Sequence, residues 1–312
     1  MSAPKPNRAD ALASIERVLA RDIVFVTGKG GTGKTTLASA LAVLASRRRR
    51  SASVVAFEDP GTELHAAHIG IDRIVIPQNE ALLELATSVF SSSIVAKVVL
   101  ATNAMKRFVR ASPAIVELAH LEQVRLIAEG RGAPRGSGGL RRFAVVDLPA
   151  SGHAVPWLRA PVTFRRFFRR GPLHEIGERL ERLLADRARV CVVVCTLPEE
   201  LVLRETVELC RKLASEHGAP PELIVLNHVP PLAPDGAADA LRRVGRLAGD
   251  VETAGEVAGL LDRRQSELMR AVDAALSAGI DASRLALVSQ RAAEPSAQSL
   301  ADELELGGLP VP

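Results

Sequence analysis

Gly28-Lys29-Gly30-Gly31-Thr32-Gly33-Lys34-Thr35-Thr36 is the stretch of sequence that decides the fold. It follows an apolar run at residues 23–26, which is typical of a buried strand, and precedes an apolar run at residues 37–45, which is typical of a buried helix. A glycine-rich loop between a strand and a helix turns its backbone N–H groups toward a polyphosphate, and the helix dipole adds to the attraction. The pattern therefore predicts that these nine residues form a nucleotide-binding phosphate loop.

Two side chains of this loop have predicted chemical roles. Lys34 is expected to reach the β- and γ-phosphates, and the hydroxyl of Thr35 is expected to coordinate Mg²⁺. The alternative is a glycine-rich turn with a chance lysine. We favour the phosphate loop because so many positions match and because a strand precedes and a helix follows.

Lys29 directly follows the first glycine of the loop. A second ammonium there adds positive charge where a phosphoryl-transfer transition state carries negative charge. With Lys29 included, the stretch resembles the deviant Walker A motif of the SIMIBI-class ATPases, which include the arsenite-pump ATPases, the tail-anchored-protein targeting ATPases, the MinD and ParA proteins and the nitrogenase iron protein. The resemblance implies that Lys29 reaches across a homodimer to the partner's nucleotide, and that ATP controls closure of the dimer.

Short apolar runs alternate with helical patterns along the chain, which favours an α/β fold with a sheet covered on both faces. We expect a doubly wound, mostly parallel sheet in a single P-loop ATPase domain over residues 1–312. Residues 81–129 contain no convincing strand, so residues 78–130 are expected to form a helical insertion. The predicted strands span residues 23–27, 53–57, 143–146, 190–195, 223–226 and 285–288; the predicted helices include one within residues 1–20 and those at residues 34–45, 173–184, 199–216 and 254–278.

Asp59 follows the second predicted strand, at the sheet edge where ligands of open α/β folds bind. A carboxylate there can orient the attacking water or hold Mg²⁺ through a water. Because Pro60 comes next, simple turn initiation is the alternative. The Asp-Pro pair resembles switch I of the arsenite-pump ATPases, which implies that Asp59 positions the hydrolytic water, although the residues that follow it differ from that family.

Asp147 ends the apolar run at residues 143–146, a Walker B pattern that places a carboxylate beside the Mg²⁺ of the phosphate loop. The residues Ser151-Gly152-His153 that follow resemble switch II of the same family. The resemblance implies that the N–H of Gly152 contacts the γ-phosphate and senses hydrolysis.

Asn227 ends the predicted strand at residues 223–226. Its amide carries both a donor and an acceptor, so it can read the edge of an adenine. Asn at a strand end is also a common turn residue. We favour the first interpretation because the family places a base-recognising Asn after a corresponding strand.

The composition is that of an ordinary soluble protein, with 47% hydrophobic and 24% charged residues and a net charge of +4. No apolar run approaches the length of a membrane span, and the first twenty residues lack a secretory apolar core, so we expect a cytoplasmic protein. The three cysteines include no CxxC pair and are expected to be buried thiols. Arg47 to Arg50 could bind nucleic acid or anionic lipid, but a helix end is the favoured interpretation, so nucleic-acid binding is not predicted.

Three functions are compatible with these patterns. The first is a dimeric, Mg²⁺-dependent ATPase of the arsenite-pump and targeting type, which binds ATP and ADP and acts on a protein client or a membrane partner. Its dimer partner would be a second copy or a paralogue. The second is a positioning ATPase of the MinD or ParA type, which the helical insertion disfavours. The third is a nucleotide-binding scaffold that barely hydrolyses ATP.

Overall fold

The computed structural model describes residues 6–57, 71–131, 142–149, 154–229, 236–277, 279–290 and 296–309. Within these ranges seven strands form one sheet, and every pair of neighbouring strands is parallel. The strands are β1 (Ile23–Gly28), β2 (Ala52–Ala56), β3 (Asp72–Val75), β4 (Phe143–Asp147), β5 (Val190–Thr196), β6 (Leu223–Val229) and β7 (Leu285–Ser289). Their order across the sheet is β3-β2-β4-β1-β5-β6-β7. The expected doubly wound parallel sheet is confirmed.

Strand β1 lies at the centre of the sheet, between β4 and β5, and all six of its residues are buried. Successive side chains of a strand point to opposite faces. Ile23 and Phe25 accordingly belong to one hydrophobic core, while Val24 and Val26 belong to the other. Because both faces are covered, the strand is a continuous apolar run and not an alternating one.

Helices cover both faces of the sheet. One face packs against α1 (Arg8–Leu19), α2 (Lys34–Arg47) and α12 (Ala297–Glu305). The opposite core takes residues from α7 (Ala154–Phe167), α8 (Pro172–Ala185), α9 (Glu200–Lys212) and α11 (Val251–Ser277), and α10 (Ala237–Ala248) packs on α11. Among the described residues, no helix combines the length and apolar composition that a bilayer crossing needs.

Four consecutive helices lie between β3 and β4: α3 (Gln78–Phe90), α4 (Ser93–Ala101), α5 (Asn103–Ala111) and α6 (Pro113–Ala128). We call them the insertion helices. Helix α6 is largely buried against the core, and α3 buries three residues there. By contrast, Ala96 is the one residue of α4 that is buried among the described residues, and α5 buries none.

Two details differ from the sequence-based predictions. Strand β3 was not predicted, because it is a four-residue edge strand with a half-exposed mixed sequence; Asp72 at its start accepts a 2.6 Å hydrogen bond from Arg142 beside β4. The helix predicted at residues 199–216 ends at Lys212 as an α-helix and continues as a π-helical turn over Leu213–His217.

The arginines at the end of α2 are structural. Arg47 forms ion pairs of 2.6 and 2.7 Å with Asp302 and Glu305 of α12. Arg50 donates to the carbonyl of Arg21 at 2.8 Å and lies 5.0 Å from the ring centre of Phe143. These contacts agree with the helix-end interpretation of this basic run, and they tie α2 to its neighbours.

Candidate functional site

The predicted phosphate loop joins the end of β1 to the start of α2, and two of its glycines leave no room for a side chain. Gly28 has φ 148°, and a Cβ at this position would lie 2.1 Å from the carbonyl oxygen of Cys195. Gly33 has φ 92°, and its Cβ would lie 2.4 Å from the Nδ2 atom of Asn227. Gly33 is the N-cap residue of α2 and has no side chain that could cap the helix. The backbone N–H groups of the first turn of α2 are therefore open to an anion.

The carbonyl of Thr32, at the middle of the loop, is held by side chains from two other strands. It accepts a 2.8 Å hydrogen bond from Nδ2 of Asn227 in β6 and a 3.1 Å hydrogen bond from Sγ of Cys195 in β5. The Asn227 Oδ1 atom in turn accepts from the N–H of His228 at 2.9 Å. Asn227 thus fixes the loop backbone in this structure, and its adenine-reading role stays a prediction. The Cys195 contact could not be predicted from the sequence.

Lys34, the first residue of α2, points back into the loop. Its Nζ atom donates to the carbonyl oxygen of Lys29 at 2.9 Å, and the hydroxyl of Thr32 donates to the same carbonyl at 2.9 Å. Burial lowers the pKa of Lys34, and the nearby Asp147 carboxylate opposes that shift. An ammonium that is partly desolvated and held by a neutral carbonyl would gain a stronger partner in an anionic phosphate.

Thr35 and Asp147, the two described residues predicted to hold Mg²⁺, lie together. In the sheet, Val26 of β1 is paired with Asp147 of β4, so the carboxylate lies beside the loop that leaves β1. Burial raises the pKa of Asp147, whereas its hydrogen bond to Thr35 and the charges of Lys34 and Arg73 lower it. A hydroxyl and a carboxylate are hard oxygen ligands of the kind Mg²⁺ takes together with waters and phosphate oxygens. These residues therefore fit Mg²⁺, with Thr35 and Asp147 on one side of it.

Lys29 does not point into the loop of its own chain. Its Nζ atom forms a 3.0 Å ion pair with the carboxylate of Glu205 on α9. Both side chains are partly exposed, at 37% for Lys29 and 44% for Glu205. Lys29 is thus held at the surface of the protein by α9.

Gly30, Gly31 and Thr36 complete the loop. Gly30 and Gly31 are exposed, and Thr36 is partly exposed at the start of α2. Two other predicted site residues, Asp59 and Gly152, lie outside the described residues, together with His153. Their roles are therefore predictions that this structure does not address.

An aromatic cluster that the sequence did not reveal joins the elements flanking these two segments. Phe57 follows β2, Trp157 lies in the first turns of α7, and His120 comes from α6. The rings of Phe57 and Trp157 are 4.2 Å apart, and those of His120 and Trp157 are stacked at 5.2 Å. Burial lowers the pKa of His120 to about 4, so its ring is neutral at physiological pH.

Comparison with known proteins agrees with this arrangement. The CobQ/CobB/MinD/ParA nucleotide-binding domain matches residues 23–291, a range that runs from β1 past the end of β7. Among curated proteins, none was found to match the chain.

Proposed function

The chain belongs to the CobQ/CobB/MinD/ParA nucleotide-binding domain family, and from this premise we propose that it is a Mg²⁺-dependent ATPase whose nucleotide state controls closure of a dimer. The family and the fold make it a nucleotide-binding P-loop NTPase of the SIMIBI class. Membership of this class does not itself include hydrolysis of ATP, use of Mg²⁺ or switching of a dimer, and these three properties are what we propose.

One observation carries the proposal, namely that Lys34, Thr35 and Asp147 meet at the carboxyl ends of β1 and β4. Lys34 would exchange the Lys29 carbonyl for a phosphate oxygen, and the first-turn N–H groups of α2 would hold the remaining phosphate oxygens. Thr35 and Asp147 would hold Mg²⁺, which supplies positive charge to the phosphates during transfer.

The ion pair between Lys29 and Glu205 supports a role for Lys29 in trans. An exposed ion pair contributes roughly 0–1 kcal/mol, so Lys29 can leave Glu205 at little cost when a partner molecule brings a phosphate close. A phosphate carries more charge than one carboxylate and would be desolvated in the closed interface, so it is the stronger partner. In this proposal Glu205 holds Lys29 in the open state.

Within the family we favour the arsenite-pump and tail-anchored-targeting type. The support is the group of insertion helices, which lies between the segments resembling switch I and switch II. In this proposal residues 1–312 act as a single ATPase domain with an insertion at residues 78–130, Asp59 orients the attacking water and Gly152 senses the γ-phosphate. The dimer would form from two copies or with a paralogue, and it would act on a protein client or a membrane partner.

Two variants with a matched control test the proposal. Lys34→Ala should abolish nucleotide binding, because the buried phosphate contact is lost. Lys29→Ala should keep ATP binding, measured with a fluorescent ATP analogue, and lose hydrolysis, measured as phosphate release. Glu205→Gln also breaks the ion pair but keeps Lys29, so it should retain hydrolysis. Turnover that survives Lys29→Ala, or that Glu205→Gln abolishes equally, would contradict the role of Lys29 in trans.

Light scattering tests the dimer itself. With Asp59→Asn to slow hydrolysis, ATP should convert the protein into a compact dimer, while ADP should not. A mass and shape that are the same with both nucleotides would refute nucleotide-controlled closure.

A further inference from the structure

Helices α4 and α5 present an apolar surface to solvent. Seven of the nine residues of α4 are aliphatic or alanine, yet Ala96 alone is buried among the described residues of this helix. Ile94 and Val98 lie one turn apart and are 75% and 63% exposed, and Val95 beside them is 45% exposed. A helix this apolar normally buries a face against a partner, and a contiguous exposed patch marks an interaction surface.

The same surface carries positive charge that no acidic residue among the described parts of the chain balances. Between Glu84 and Glu117 the sequence contains no Asp or Glu. The four cations of this interval are exposed, and none forms an ion pair with a described residue: Lys97, Lys106, Arg107 and Arg110. The pattern differs from that of the arginines on α2, which meet acidic partners. A ligand of this surface is therefore expected to be negatively charged.

An open groove combines the two properties. It has a volume of about 580 Å³ and lies between α3, α4 and α5. Its apolar lining comes from Leu82, Leu83, Leu100 and Val109, and its charged lining from Lys97, Lys106 and Arg110. Apolar and cationic groups thus lie side by side in one groove.

This combination identifies the chemistry of the occupant. A purely apolar helix of a client protein would cover the aliphatic residues but would give the cations no partner. A nucleic acid would pair with the cations but would leave Ile94 and Val98 in water. An anionic amphiphile satisfies both, because its head group pairs with the cations while its acyl region takes the apolar side chains.

We propose that α4 and α5 form a docking surface for a bilayer that contains anionic lipids. The exposed face of α4 inserts at the boundary between head groups and acyl chains, and the cations of α4 and α5 bind the head groups. This surface contains no residue of the phosphate loop, so docking is a property separate from ATP hydrolysis. It goes further than the proposed function by specifying an anionic bilayer as the membrane partner.

Co-sedimentation with vesicles tests this proposal on the full chain. The wild-type protein should pellet with vesicles of phosphatidylglycerol and phosphatidylcholine in equal parts and should stay in solution with pure phosphatidylcholine. High salt should release it, because screening weakens the electrostatic attraction. A wild-type protein that remains in solution with the anionic vesicles, in both ADP and ATP, would overturn the proposal.

Surface variants separate the two contributions. Lys97→Gln with Lys106→Gln should weaken binding by roughly 25-fold, since each basic residue at an anionic surface contributes about fivefold. Ile94→Ser with Val98→Ser should abolish the insertion and weaken binding by tenfold or more. The matched control is Leu247→Ser on α10, which changes an apolar residue that is 90% exposed, and it should leave binding unchanged.

Three results would overturn the docking surface. One is an equal loss of binding with Leu247→Ser, which would mean a general effect of surface hydrophobicity. Another is a double Ile94 and Val98 variant that binds as well as the wild type. The third is tighter binding of an uncharged apolar helical peptide than of the anionic vesicles, which would assign the groove to a protein client.

Discussion

Replacing Gly33 with alanine tests how the phosphate loop is held. Gly33 has φ 92°, and an L-residue held in the left-handed region costs about 1–2 kcal/mol. The added Cβ would also lie 2.4 Å from Nδ2 of Asn227 and would displace its hydrogen bond to Thr32, at a further cost of about 1 kcal/mol. We therefore expect Gly33→Ala to lower the free energy of unfolding by about 2–3 kcal/mol.

Two neighbouring glycines provide matched controls. Gly31 has φ 80°, but its Cβ would meet no described atom within 4 Å, so Gly31→Ala should cost the conformational part alone, about 1–2 kcal/mol. Gly30 has neither a positive φ nor a described neighbour within that distance, so Gly30→Ala should change stability by less than about 0.5 kcal/mol.

The assay is urea unfolding of the nucleotide-free protein, followed by circular dichroism. The nucleotide must be absent, because an alanine in the loop would also change the contacts with a bound nucleotide and so the measured stability. The cost of Gly33→Ala should fall by about 1 kcal/mol when it is measured in an Asn227→Ala background, where the clash is gone. Equal costs for Gly31→Ala and Gly33→Ala, or a Gly33→Ala cost that Asn227→Ala does not change, would refute the reasoning.

Three further predictions concern buried groups. Between pH 6.5 and about pH 4, His120 is protonated in the unfolded chain but stays neutral in the folded protein. The free energy of unfolding should therefore decrease by up to about 3 kcal/mol as the pH falls through this window. His120→Phe should remove that loss, as measured by urea unfolding at several pH values. Cys191 and Cys195 are buried, and burial raises the pKa of both thiols to about 12, so neither should react with a thiol reagent at pH 8 in the native state, and both should react in denaturant. Reaction of Cys195 in the native state would mean that the loop opens. Asp147→Asn should abolish the effect of Mg²⁺ on ATP affinity while binding without metal persists, as measured by titration with and without a chelator.

The central strands could be predicted from the sequence because burial on both faces makes them continuous apolar runs. Strand β3 could not, since an edge strand of four residues with one face half exposed carries little hydrophobic pattern. The turn at Leu213–His217 escaped prediction for a different reason: the apolar spacing of a helix continues through it although the hydrogen bonding changes.

The phosphate loop could be recognised because its nine residues are consecutive. Its supports could not, because they come from residues distant in sequence. Glu205 is 176 positions from Lys29, and Asn227 is 195 positions from Thr32. The choice between a base contact and a loop contact for Asn227 depends on which atoms the fold brings near its amide, and a local pattern contains no such information.

The position of β1 in the sheet affects the protein while it is being synthesised. Both neighbours of β1 follow it in the chain, because β4 begins roughly 120 residues later and β5 later still. At ~5–20 residues per second, the ribosome needs roughly 6 to 24 s to extend the chain from Ile23 to Phe143. During that time an apolar strand that will lie at the centre of the sheet has no partner. The nascent chain therefore carries an unpaired apolar strand until residue 143 has been made, and a chaperone that binds β1 over this interval would protect it from aggregation.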